Sequence, residues 1–531
     1  MSDKLEAAER RKRSRIWSIP VRLLRAVPPA WLAAIGVFLI TGWALFIPPY
    51  IGMADNGDYF RILYPSGLYF HLPDYDSRYF GYFVRTYGIF HYYNENSQMI
   101  FTSQSLFIRA ALALNQWIYS RTVFDLRFQA GLFTVLYSGA VYLLVEGLTW
   151  KVERTRALII AALAVFIFAD TAYTAYFQSF FGESVVLLSL LTAAASWLLL
   201  CRGRFNDYAM LGLFAAASLL LTTSKQQNAP VGVLLGLFGL SLLFLRRDRP
   251  RPFRQLTLAA LGAMLLAGVG TYVLIPQQFV HINQYHAMTR GVLLNSSEPE
   301  KTLDAFGIDK QYAILKDSIY YEQYSTVDVD SPLLEKDFYS RYGFGSVLGY
   351  YLTHPDKLGQ ILNVAAKQAF TIRPAAMGNY ELSAGKPFGA QTRFFTVYSL
   401  LKKQGTPKTF GFIGLWAALI VGLHLPGFVS AWKKRDMRGV QKLVLMAALI
   451  LTGLSGIVVS IIGAGDADLA KHEFLFTLSF DLVTFITLAD AIARRLLQPG
   501  TAVRPGAPIA PTPTPAPAPA GSPVRKGEEA G

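Results

Sequence analysis

Apolar residues run along this chain in blocks of about twenty, joined by short polar segments, and a block of that length spans a bilayer as one helix. Such runs lie near 31–50, 127–148, 157–176, 184–201, 208–223, 229–245, 255–275, 409–430, 442–463 and 473–492. They predict ten membrane-spanning helices. Two joints are long, 51–126 and 277–408, and both carry periodic apolar positions. From Ser105 to Tyr119, Leu106, Ile108, Ala111, Leu112 and Ile118 alternate with Arg109, Asn115 and Gln116, the pattern of a helix lying in the interface. Pro355 to Phe370 reads as a similar helix that stops before Arg373-Pro374.

Composition agrees with the pattern. Of 531 residues 53% are hydrophobic and 16% charged, and the mean hydropathy is +0.32. These values exclude an ordinary soluble domain. The expected fold is an all-α polytopic membrane protein with about ten transmembrane helices and two long structured loops.

Charge sets the orientation. Lys4, Arg10, Arg11, Lys12, Arg13, Arg15, Arg22 and Arg25 precede the first run, and such arms stay cytoplasmic. Alternating the runs from there puts Lys151, Arg154, Arg202, Arg204, Arg246, Arg247, Lys433, Lys434, Arg494 and Arg495 inside. The short outer joints hold almost no cations. Both termini are thus expected in the cytoplasm, and the chain in the inner (plasma) membrane. The first run is too long for a cleaved leader and reads as a retained anchor. Residues 1–28 form a basic arm, 29–495 the transmembrane domain, and 496–531 a Pro- and Ala-rich tail expected to be disordered. The net charge of +15 is explained by topology and anionic headgroups, so nucleic acid is not an expected partner. The single cysteine, Cys201, cannot form an internal disulfide.

The polar clusters within this topology fall on the outer side. Asp55-Asn56-Gly57-Asp58 follows the first run; Asp170 and Glu183 bracket the third and fourth. Lys225-Gln226-Gln227-Asn228 joins the fifth and sixth, and Asp466, Asp468, Lys471, His472 and Glu473 join the last two. Four hairpin tips can converge on one cavity. Each cluster also has a plain structural reading: a turn at Asn56-Gly57, an aromatic belt at Tyr176–Phe181, a polar hairpin, a solvated loop. Carboxylates and cations beside a bilayer are costly without a task. Tyrosines and phenylalanines between Tyr59 and Tyr93 serve either as interfacial anchors or as platforms for sugar rings. Asp481 is a polar-core residue with no partner legible in sequence, and His281 and His286 have no second ligand pair for zinc.

The acidic motif in the first outer loop, the interfacial helix of that loop and the ten spans resemble the GT-C superfamily of polytopic glycosyltransferases. That resemblance covers roughly residues 29–495. It implies a polyprenyl-phosphate-linked sugar as donor and an aspartate of the first outer loop, here Asp55 or Asp58, as base or metal ligand. The residue types suit such a reaction independently. A carboxylate takes the acceptor's proton and cations hold the departing phosphate. Asp58 or Asp55 is the expected base, and Lys225, Lys471 and His472 the phosphate-holding groups. Glu183, Gln226, Gln227, Asn228, Asp466 and Asp468 are the expected substrate-orienting groups. Mg²⁺ or Mn²⁺ bridging Asp55, Asp58 and phosphate is compatible with these donors and not required by them. The acceptor would be a glycan, a lipid or a protein. A transporter or flippase of a lipid-linked sugar or similar amphiphile is the alternative; it would call for mid-membrane ionisable groups and paired broken helices in two related halves, whereas here the halves look unalike and the charges crowd one surface.

Overall fold

The computed structural model describes residues 26–91, 102–246, 250–322, 324 and 326–496. The basic arm up to residue 25, Tyr92, Tyr93 and Asn94 of the first loop, and the tail from 497 lie outside the described residues. All ten apolar runs are helical. Among the described residues eight helices have the length and composition of membrane spans: α1 (Pro29–Phe46), α3 (Arg127–Thr149), α5 (Glu183–Arg202), α7 (Ala229–Gly239, continued at both ends to span Gln226–Phe244), α8 (Pro250–Val273), α11 (Phe410–Lys433), α12 (Met437–Ala464) and α13 (Phe474–Ile492). A ninth is broken: α4 (Arg154–Phe168) is followed, after a 48° bend, by Thr171–Gln178. The tenth, α6 (Asp207–Thr222), is a shorter apolar helix. The chain is an all-α polytopic membrane protein.

Local chemistry explains the helix ends. Asn206 caps α6 by accepting from the Tyr208 and Ala209 amides, and Asp436 caps α12 through Arg438 and Gly439. Gly203, left-handed at φ +57°, closes α5. Helix α5 is the centre of the bundle, with 89% of its spanning window buried against 22% for α8 and α11, whose apolar faces stay open for lipid. Gly453 lets α12 and α13 approach closely, since a Cβ there would sit 2.8 Å from the Ser479 Cβ.

The two ends of the bundle differ. One carries the arginines of the short joints, tied by Arg202–Asp490 (3.2 Å), Lys442–Asp490 (2.6 Å), Arg204–Glu146 (2.7 Å) and Arg438–Asp207 (2.8 Å). The other carries both long loops. In the first loop α2 (Gln104–Ile118) presents Leu106, Trp117 and Ile118 outward, as an interfacial helix would. The same loop holds an antiparallel ribbon of β1 (Leu68–Tyr69), β2 (Thr86–Ile89) and β3 (Val123–Asp125), with Leu68 opposite Ile89 and Tyr87 opposite Phe124. Its aromatics are partly neither anchors nor sugar platforms. Tyr59, Tyr75 and Tyr87 are buried and pack with Phe180 and Phe181 as the core of the loop.

The second loop begins with α9 (Gln277–His286), runs through a π-helical turn at Ala287–Val292, and includes α10 (Pro355–Gln368), close to the expected helix. His281 stacks on Tyr339 and His286 accepts the Tyr320 amide, both ordinary loop roles. Asp481 finds its partners here. Lys402, on the short helix Val397–Gly405, reaches it at 2.6 Å, and the Tyr173 hydroxyl donates to it at 2.5 Å.

Candidate functional site

The chain leaves α1 and turns at Asp55-Asn56-Gly57-Asp58. Asp55 makes that turn: its Oδ1 accepts the amides of Gly57 (2.8 Å), Asp58 (3.0 Å) and Tyr59 (3.2 Å), and its Oδ2 accepts the Tyr75 hydroxyl (3.2 Å). Gly57 sits at φ +95°, where a side chain would be strained. Burial lifts the Asp55 carboxyl to about 6, against the pull of the Gly57 and Tyr59 amides. The turn delivers Asp58 to a cavity of 350 Å³ at the loop end of the bundle. There Asp58 pairs with Lys471 and, at 3.2 Å, with Arg61. Burial favours its neutral form, but the charges of Lys471 and Arg61 outweigh it and hold the carboxyl well below the usual range. Burial opposes the Lys471 ammonium in turn, and Asp58 and Asp468 more than restore it.

The segment after the bent helix forms a second wall. Two glutamine amides grip its carbonyls, Gln129 donating to Ser179 O (2.7 Å) and Gln104 to Phe180 O (2.6 Å), and its own Gln178 donates to Leu45 O of α1 (2.6 Å). Held this way, the segment starts α5 at Glu183, a position that suits an acidic residue. Glu183 is fully buried and pairs with Lys225, while its Oε2 has no hydrogen-bond partner among the described residues. A Cβ on Gly182 would lie 3.2 Å from the Lys225 side chain, so this glycine gives the lysine its place.

The third wall is the hairpin Lys225–Asn228, and the fourth the joint between α12 and α13. Gln227 donates to His472 O at 3.1 Å, linking the two. Burial and the neighbouring Lys225 and Lys471 push the His472 imidazole down to about 3. At neutral pH it is therefore an uncharged group that meets a phosphate or a sugar through a hydrogen bond and not through charge.

Asp58, Glu183, Lys225, Gln226, Gln227, Lys471 and His472 thus line one cavity. Asp55, Asn228, Asp466 and Asp468 do not. Asn228 donates to Ser224 Oγ at 2.9 Å within its own hairpin. Asp466 is engaged by Arg290 through two bonds of 2.7 and 3.0 Å, which fasten the second loop to the end of α12. Asp468, left-handed at φ +49°, accepts from Asn56 at 3.2 Å and stands 3.8 Å from the Lys471 ammonium, behind the cavity. Nor do Asp55 and Asp58 fit a bridging Mg²⁺ or Mn²⁺. The Asp55 oxygens are filled by N–H and O–H donors and Asp58 by two cations, and no group of three or more His, Cys, Asp or Glu suited to an ion exists among the described residues.

Sequence reading missed Arg61 and Gln104. Arg61 is three residues beyond Asp58 at the start of a helical turn, a spacing that brings opposite charges together. The cavity's other wall is apolar, formed by Tyr272, Ile275, Phe279, Ile282, Val459 and Ile462. It continues onto the exposed face of α8 and the residues after it, where Leu266, Val273 and Leu274 are more than two-thirds exposed. Cations and a carboxylate at one end and hydrocarbon at the other suit an amphiphile with an anionic head.

A family model described as the YfdI N-terminal transmembrane domain matches residues 14–504, and the chain belongs to that family. Among curated proteins none matches it.

Proposed function

We propose that this member of the YfdI N-terminal transmembrane domain family is an integral membrane glycosyltransferase that moves a sugar from a polyprenyl-phosphate donor to an extracytoplasmic acceptor. The observation that carries the reading is the two-ended cavity, in which Asp58, Arg61, Lys225 and Lys471 face an apolar wall open toward α8. The resemblance to GT-C enzymes supports it. The prenyl chain lies along Tyr272, Ile275 and Ile462; the phosphate meets Lys471, Arg61 and Lys225; Gln226, Gln227 and neutral His472 orient the sugar by hydrogen bonds.

Asp58 is the general base of an inverting single displacement. The acceptor hydroxyl attacks the anomeric carbon as its proton passes to Asp58, and the bond to phosphate breaks on the opposite face. The cations stabilise the second negative charge that the phosphate gains. Asp55 acts through the turn, as a positioning residue. By the positive-inside rule the loop end faces outward, with both termini in the cytoplasm of the plasma membrane.

The test is product analysis with purified protein, a panel of polyprenyl-phosphate sugars and envelope glycans, lipids or proteins as acceptors. The reading predicts a new glycosidic linkage and release of polyprenyl phosphate. Relocation of an unchanged lipid across proteoliposomes, with no release, would replace the enzyme by a flippase.

A further inference from the structure

Three carboxylates and three cations, in two paired sets close enough to feel each other's charge, crowd the polar end of the cavity. Asp58 pairs with Lys471 and Arg61, Glu183 pairs with Lys225, and Asp468 stands 3.8 Å from Lys471. With His472 neutral, the formal charges of these six residues cancel, so a phosphate arriving there meets cations that are already taken. Capacity remains in these groups nonetheless. Among the described residues Arg61 Nε and Glu183 Oε2 are buried with no hydrogen-bond partner, although a guanidinium offers five donors and a carboxylate accepts several bonds. Lys471 is braced from below by the Phe181 ring at 4.7 Å, and Arg61 by Phe279 at 4.9 Å, so both cations keep their place when their carboxylate partner changes.

We propose that Asp58 and Glu183 are internal counter-anions which hold Lys471, Arg61 and Lys225 until a lipid phosphate takes these cations over, and that this exchange frees Asp58 to accept a proton. The proposal rests on the lipid-phosphate reading above and adds an order of events: donor binding precedes activation of the base. A carboxylate clamped by two cations is a poor proton acceptor, and one whose cations have moved to a phosphate is a better one.

The step balances. The acceptor O–H bond breaks as its oxygen forms the bond to the anomeric carbon; the proton goes to Asp58, and the electron pair of the broken C–O bond leaves with the phosphate. Asp58 loses one negative charge as the phosphate gains one, so the cavity's total charge is constant through the transfer. Return of Lys471 and Arg61 to Asp58 then expels the proton to water and loosens the phosphate product.

The exchange is tested by binding, not turnover, with farnesyl phosphate and farnesol as probes of detergent-purified full-length protein. Asp58→Asn and Glu183→Gln each remove a competitor for the cations, so each should bind farnesyl phosphate about tenfold more tightly than wild type while farnesol binding stays the same. Arg61→Gln and Lys471→Gln should weaken the phosphate and leave the alcohol unchanged. If wild type prefers the phosphate but both carboxylate variants bind it no better, the exchange is wrong and the lipid-phosphate reading survives. If no protein distinguishes phosphate from alcohol, both are overturned. Glu183→Gln keeps the test decisive should Asp58→Asn fold poorly.

Discussion

Asp55 and Asp58 stand three residues apart and differ in what their carboxylates touch. The first satisfies three backbone amides and a tyrosine hydroxyl; the second faces Lys471 and Arg61 in the cavity. Asp55→Ala leaves those four donors, two of them buried, without an acceptor and should cost about 2 to 4 kcal/mol of stability. A denaturant titration in detergent that shows no loss contradicts the structural role. His472 makes a pH prediction. Its imidazole protonates near 6.5 in the unfolded chain and near about 3 when folded, so between those values the unfolded state binds the extra proton. The stability it contributes is present above 6.5 and lost as pH falls toward 3. His472→Gln should flatten that acid limb in unfolding measured at about pH 4.5 and about pH 7, and equal pH dependence in both proteins would count against a neutral His472. Spacing could place both aspartates near the bilayer, but only the turn hydrogen bonds separate their tasks. Arg61 is legible in its three-residue spacing from Asp58.

At the scale of elements, helices were legible because each apolar block is long and uninterrupted, and the amphipathic helices of the loops because their spacing is helical. The ribbon was not, since its strands are two to four residues long and their aromatics look the same at an interface as in a loop core. Nor could the Lys402–Asp481 pair be read, because it joins positions far apart in sequence. That pair pins the short helix Val397–Gly405 to α13 with both side chains nearly inaccessible. Lys402→Met strands the aspartate and should destabilise the protein by about 3 to 5 kcal/mol, whereas Lys402→Met with Asp481→Leu should recover most of the loss. A double-mutant cycle checks this. A double variant as unstable as the single one would show that Asp481 serves Tyr173 and its other neighbours more than Lys402.

The whole molecule is a bundle whose arginine end and loop end are chemically distinct, and its proposed orientation follows from that asymmetry. In a Cys201→Ser background, Lys386→Cys in the second loop should react with a membrane-impermeant thiol reagent on intact cells, and Lys151→Cys only after permeabilisation. The reverse pattern inverts the protein and removes an extracytoplasmic acceptor. Both residues are exposed, so accessibility within the fold does not bias the comparison. The central claim is that Asp58 is the base in a lipid-phosphate cavity. Its most direct measurement is single-turnover transfer from a polyprenyl-phosphate sugar by wild type, Asp58→Asn and Asp55→Asn, with donor binding followed in the same samples. The account predicts that Asp58→Asn binds donor and loses transfer by about a hundredfold or more, while Asp55→Asn loses folded protein but transfers sugar in proportion to what remains. Transfer at the wild-type rate by Asp58→Asn would contradict it.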